Sequence, residues 1–183
     1  MTLSVPRPAA DEYSPYYDTY ISKVPTDSDP ALELTAQLES VPALLAGVTE
    51  SRAGYRYAPE KWSIKEVIGH LSDSERVFSY RMLRIARADT TPLPGFDENE
   101  FMKKAGFDSR TLKDLLAEFI AVRASTLALV RSMDPEAWER RGTANGKTIS
   151  TRALLYITPG HVTHHMGTLR TRYGVEEMAR ARA

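Results

Sequence analysis

The sequence contains no cysteine among its 183 residues. Disulfide staples, thiolate zinc sites and a cysteine nucleophile are thereby excluded together. It also lacks an excess of either charge, with 24 Lys and Arg against 24 Asp and Glu and a formal net charge of zero. A nucleic-acid-binding face draws on a basic surplus, so no nucleic-acid partner is expected. No stretch approaches the roughly 18 uninterrupted apolar residues of a membrane span, so none is expected in a membrane. The opening segment, MTLSVPRPAADEY, lacks the apolar core of a secretory signal. These absences make the cytoplasm the expected location. What remains is an ordinary globular composition, 42% apolar, at a length that suits one domain with a short appendage.

Five prolines (Pro6, Pro8, Pro15, Pro25 and Pro30) fall in residues 1–30, which argues against regular structure there. The same stretch holds Tyr13, Tyr16, Tyr17 and Tyr20, and disordered tails are poor in aromatics. Residues 1–30 therefore read as an extended arm packed on the body, with the first dozen residues loose. Residues 31–183 form the body. Apolar periodicity marks four helices in it, over about Ala31–Val48, Ser63–Ala88, Ser109–Met133 and Thr148–Tyr173. Ser63-Ile64-Lys65-Glu66 fits a capping box, with Trp62 and Val67 placed as its hydrophobic staple. Gly174 follows the last segment as a C′ residue, and Pro159-Gly160 predicts a kink or loosened turn within it. A short helix starting at Asp97 fits the long connection containing Pro92-Leu93-Pro94-Gly95. No segment alternates over strand length. The expected fold is an all-α four-helix bundle with a long crossover between its second and third helices.

Three of the four histidines fall in His161-Val162-Thr163-His164-His165. At about 100° per residue, His161 and His165 stand about 40° apart, and His161 and His164 about 60° apart the other way. Spacing alone leaves both pairs open. The apolar face formed by Leu155, Val162, Met166, Leu169 and Tyr173 favours His165, which lies toward it, and leaves His164 exposed or at an interface. His70, at the edge of the second helix's stripe, is the candidate third ligand. Bundles build metal sites from side chains converging between facing helices, and neutral imidazole suits zinc, nickel, iron and copper.

Glu75 and Arg123 occupy stripe positions that call for apolar residues, between Leu71 and Phe78 and between Phe119 and Leu127. They read either as a buried ion pair or as two independent boundary residues. Asp73, Arg81 and Arg84 read as helix-surface residues, with Arg81 near enough to the His70 face to meet an anionic substrate. Tyr156 and Trp62 read as packing residues. Asp97 and Glu98 could close over the metal, although a helix cap is the simpler role for Asp97.

Several stretches resemble the DinB-like superfamily, which includes bacillithiol transferases and mycothiol-dependent enzymes. They are Lys61-Trp62-Ser63-Ile64-Lys65-Glu66-Val67-Ile68-Gly69-His70-Leu71, Asp73 to Arg76, and Gly160-His161-Val162-Thr163-His164-His165. The linker Pro92 to Asp97 and the tyrosine-rich arm ending at Val24-Pro25 are similar to members of one branch. The resemblance implies a four-helix bundle with one histidine on the second helix and a pair four apart on the last. That triad maps onto His70, His161 and His165, holding one divalent ion, zinc or nickel ahead of iron or manganese. It further implies a metal-dependent enzyme, foremost an S-transferase joining a low-molecular-weight thiol to small electrophiles, and a homodimer. The alternatives are a metal-dependent hydrolase and a non-catalytic metal- or ligand-binding protein. No Glu accompanies the histidine pair as in the zincin His-Glu-x-x-His pattern, which weighs against hydrolysis.

Overall fold

The computed structural model describes residues 5–180. Eight helices and one hairpin follow in order: α1 (Asp18–Ile21), α2 (Pro30–Leu45), α3 (Glu50–Ala53), α4 (Ile64–Ala86), α5 (Glu98–Ala105), α6 (Leu112–Arg131), β1 (Arg141–Ala144), β2 (Lys147–Ser150), α7 (Thr151–Thr171) and α8 (Val175–Arg180). The long helices α2, α4, α6 and α7 pack together as the four-helix bundle. Among the described residues no helix is long and apolar enough to cross a membrane.

The helix starts follow from their capping residues. Asp29 accepts from Ala31 N at 2.8 Å with Pro30 in the first helical position, where its missing N–H loses nothing. The capping box at Ser63 and Glu66 closes in both directions, at 3.1 Å and 2.8 Å. Thr111 and Ser150 cap α6 and α7 in the same way. Their positions set two starts later than the periodicity does. Phe107–Ser109 forms a 3₁₀ turn ahead of α6, and the residues before Ser150 belong to a strand.

That strand belongs to a small two-stranded hairpin attached to the all-α bundle. β1 and β2 pair antiparallel, with Ala144 opposite Lys147, around Asn145 and Gly146 at φ values of 51° and 69°. Asn-Gly is the residue pair that a two-residue hairpin turn demands. The hairpin holds the crossover linker: Leu93 N donates to Thr143 O at 2.8 Å, and Asn145 N donates to Leu93 O at 3.0 Å.

From Val5 onward the arm is turned rather than extended, and its first dozen residues are not loose where they are described. It contains 3₁₀ turns at Ala10–Glu12 and Pro15–Tyr17 and the helical turn α1, with Pro15 starting a turn rather than breaking one. Val5 is buried and its carbonyl accepts from the Tyr156 hydroxyl at 2.9 Å. Glu12 is buried too, accepting from Arg152 Nε at 2.7 Å.

α7 runs unbroken through Pro159-Gly160, where a loosened turn was expected. The glycine serves a close approach instead. A Cβ on Gly160 would lie 2.1 Å from Tyr20 O and 2.6 Å from its carbonyl carbon. That carbonyl is held by a 2.8 Å bond from Lys23 N, so it cannot swing aside as a side chain would. Helix propensity alone would make Gly160→Ala stabilising by about 1 kcal/mol. The clash reverses the sign, and a net loss of about 2 kcal/mol is expected, in the range of overpacked cores. A melting temperature that holds or rises would refute this account of the α1–α7 contact.

The core has two apolar clusters. One contains Phe78, Met82, Leu127 and Ile157; the other contains Val41, Leu71, Phe119 and Val162. Along each bundle helix a buried polar residue separates them: Gln37 on α2, Glu75 on α4, Arg123 on α6 and His161 on α7. The bundle is thus divided by a polar layer, and the site sits in it.

Candidate metal centre

α4 and α7 bring three imidazoles together. His70 Nε2 lies 3.0 Å from His161 Nε2, which lies 3.2 Å from His165 Nε2. One nitrogen from each of the three histidines lies within 4.8 Å of the other two. Donors about 2.1 Å from a tetrahedral zinc stand about 3.4 Å apart, so this set fits a divalent ion with little rearrangement. Among the described residues, no fourth histidine or carboxylate joins the group. Three protein donors with a position left over is the pattern of reactive sites, whereas structural zinc is closed by four.

Burial readies the triad for a cation. It pushes His70 down to about 4. His165 falls to about 3 through burial and then the neighbouring histidines, and burial holds fully enclosed His161 well below the usual value. All three are therefore neutral at pH 7, with lone pairs available. Trp62 packs on His70 with centroids 4.6 Å apart, and Tyr20 meets His161 edge-on at 5.1 Å. Ser74 Oγ lies 3.4 Å from both His70 ring nitrogens.

Arg123 anchors the polar layer beside the triad. Its Nε and Nη2 each donate to one Glu75 oxygen at 2.7 Å, while Nη1 donates to Leu34 O at 2.9 Å and Gln37 Oε1 at 2.8 Å. Gln37 Nε2 in turn donates to Pro159 O at 2.9 Å, two residues before His161. Of the two readings of Glu75 and Arg123, the buried pair is the one observed.

The triad forms part of the wall of a cavity of about 490 Å³. α4 contributes His70, Ser74, Phe78 and Arg81; the arm contributes Tyr16, Tyr17 and Tyr20; the hairpin contributes Asn145 and Lys147; Phe96 and Glu98 complete the rim. Tyr16 and Tyr20 hydroxyls lie 3.0 Å apart, and burial together with that hydrogen bond raises the Tyr20 phenol above its ordinary range.

The other sequence candidates divide around this cavity. His164 lines it, half-buried with its ring 5.5 Å from Tyr20, rather than standing exposed. Arg81 is buried on its wall, not on a helix surface. Trp62 both packs and lines it. Tyr156 packs against the arm, Asp73 pairs with Arg76, and Arg84 pairs with Asp89, all outside the lining. Asp97 caps α5 by accepting from Asn99 N and Glu100 N, and Glu98 is the member of that pair that faces the cavity. The tyrosine wall and the hairpin rim were not anticipated. Asn145-Gly146 was a readable signal for the hairpin, but nothing local announces that Tyr20 packs on His161.

The sequence model of the DinB superfamily matches residues 33–169. Among solved structures, the chain is similar to YfiT from Bacillus subtilis, described as a probable metal-dependent hydrolase with an unusual four-helix bundle topology. The match has a TM-score of 0.65 at 18% identity and covers 97% of this chain and 94% of that one. No curated protein matches the sequence.

Proposed function

The chain belongs to the DinB superfamily, and from that premise we propose that it is a divalent-metal-dependent enzyme, foremost an S-transferase joining a low-molecular-weight thiol to a small electrophile. The observation that carries the reading is the convergence of three neutral Nε2 donors at the wall of an open cavity. His70, His161 and His165 would hold the ion. When bound it supplies Lewis-acid charge that favours the deprotonated form of a nucleophile. Neutral imidazoles leave that charge undiminished.

The rest of the chemistry falls to the chain's own side chains. Sulfur attacks an electrophilic carbon and displaces a halide or opens an epoxide. Trp62, Phe78 and Tyr20 present apolar surface beside the triad and limit water there. Tyr16 and Tyr20 share one hydrogen bond between two hydroxyls, which leaves a second O–H able to donate to an oxygen that acquires charge.

A hydrolase is the second reading, favoured by the description of YfiT. It asks more of the wall, because water needs a base. Among the described lining residues the one carboxylate is Glu98, at the start of α5, while Glu75 is committed to Arg123. Thiols ionise far more readily than water, so the wall as built suits thiol transfer better. Chelation should abolish turnover of a chloronitroarene or an epoxide, and zinc or nickel should restore it. Turnover that depends on both metal and thiol supports the S-transferase. Metal-dependent hydrolysis without thiol selects the second reading, and chelator-insensitive turnover rejects both.

A further inference from the structure

Two arginines are buried in the bundle, and they differ in how their donors are used. Arg123, 0% exposed, spends its guanidinium on Glu75, Leu34 and Gln37. Arg81, 3% exposed on the cavity wall, donates Nη2 to Pro94 O at 2.7 Å and stands beside the Tyr17 hydroxyl, whose burial-raised pKa it partly offsets. No carboxylate lies within 4.0 Å of Arg81 among the described residues, Glu98 included. A guanidinium carries five N–H donors, and no buried side-chain nitrogen lacks a partner among the described residues. The Arg81 nitrogens that meet neither Pro94 nor Tyr17 are therefore accessible, and Arg81 lines the cavity.

A buried charge facing only neutral groups, a carbonyl, the Tyr17 phenol and the Phe96 ring at 5.8 Å, is costly unless something in the cavity answers it. We infer that Arg81 is an oxyanion subsite, so that one of the reactants bound beside the triad carries a carboxylate or phosphate at a distance from its reacting atom. This inference rests on the cavity being the reaction site proposed above. α4 fixes the spacing. His70, Ser74, Phe78 and Arg81 follow one another along one face and all line the cavity, and the helical rise from His70 to Arg81 separates their Cα atoms by about 16 Å. The ligand is accordingly elongated, with its reactive end at the histidines, apolar atoms over Phe78 and its anion at Arg81. The planar fork of arginine suits bidentate carboxylate or phosphate. Lys147 on the hairpin rim adds positive charge at the cavity and Glu98 opposes it.

The test uses three aryl-chain probes of one length: 4-phenylbutyrate, its neutral amide, and 3-phenylpropyl phosphate. Binding to the full-length protein is measured by calorimetry, as purified and after stripping with a chelator, so that attraction to an ion is separated from attraction to Arg81. At least one anion should bind about ten- to hundredfold more tightly than the amide in both samples, the yield of a charge-assisted contact, and the better anion identifies the group. Arg81→Gln should erase that preference while leaving amide binding within about twofold, and Arg81→Lys should keep part of it. Glu98→Gln, a change at a half-buried rim position, should tighten anion binding and leave the amide unmoved, which keeps the inference testable should Arg81→Gln not fold. Equal binding of amide and anions, or an Arg81→Gln variant that weakens all three alike, overturns it. Metal content is read separately. An anion preference in a protein that takes up no metal would keep the subsite and remove the metal reading; metal uptake without the preference would do the reverse.

Discussion

Glu75→Gln should destabilise the protein by about 3–5 kcal/mol, because it leaves the Arg123 guanidinium buried without its counter-charge. Glu75 is 2% exposed and Arg123 0%, so water cannot take over the lost contacts. The amide keeps the volume of the carboxylate, which confines the effect to charge and hydrogen bonding. A domain of this kind has about 5–15 kcal/mol in total, so one isosteric change removes a large share. Urea denaturation of the two proteins measures the difference directly, and a loss under about 1 kcal/mol would show the pair to be no better than a surface one.

The paired change Glu75→Met with Arg123→Met separates charge from packing. Replacing both members of a buried pair by apolar residues is often close to neutral. Here it should cost less than Glu75→Gln without reaching zero, because Arg123 also donates to Gln37 Oε1 at 2.8 Å. That oxygen would be left buried without a donor, worth about 1–3 kcal/mol. The single change should also reach the triad. Burial and the neighbouring histidines do most to lower the proton affinity of His161, and the Arg123 charge adds to them; Glu75 is the counter-charge bonded to that guanidinium. With Glu75 neutral, the same field opposes any cation held by His161, so metal affinity should fall alongside stability.

The ion pair also marks how far sequence reasoning reaches. Charged residues at stripe positions on two helices made an interior contact one of two readings, because a helical period of about 3.6 residues fixes which way each side chain faces. The same period placed His161 and His165 on one side of α7, and the capping box at Ser63 located the start of α4. Information of that kind is local. Gln37 joining the network depends on α2 crossing α7 beside Pro159, and Tyr20 covering His161 depends on Gly160 letting α1 approach within backbone contact. Neither is encoded in a window of neighbouring residues. Arg81 shows the remaining difficulty: periodicity put it near the His70 face, but its burial comes from the Pro94–Phe96 linker laid over it, which the hairpin holds in place. Asn145-Gly146 is a different matter: that pair carries its own turn signal, although the short strands it joins do not alternate convincingly.

The largest expected effect on function lies in adjacent histidines. His165→Ala should lower metal affinity by well over a hundredfold, beyond the ten- to hundredfold typical of losing a residue that merely supports a ligand, while His164→Ala should leave metal content nearly unchanged. His165 Nε2 stands 3.2 Å from His161 Nε2 within the converging set; His164 packs its ring on Tyr20 and lies outside that set. Both changes remove an imidazole from the cavity wall, so a general effect of lost packing would move both alike, and only ligation separates them. Elemental analysis after gel filtration, followed by chelator competition, gives the two numbers, and equal metal loss in both variants would sink the assignment. The pH dependence adds an independent check. Unfolded histidines take up protons near pH 6.5, whereas folded His70 and His165 resist until about 4 and about 3. Between those limits the unfolded chain binds more protons, so stability must fall as pH is lowered from about 7 towards 4. Removing His165 removes its share of that slope, so His165→Ala should lose less stability over the same interval than the unaltered protein does. Metal retention should follow the folded values, persisting through pH 6 and failing only as the pH approaches 4, since protons compete for the same nitrogens. A retention midpoint at the ordinary histidine value would mean that the three imidazoles are open to solvent, against the burial on which the neutral triad depends.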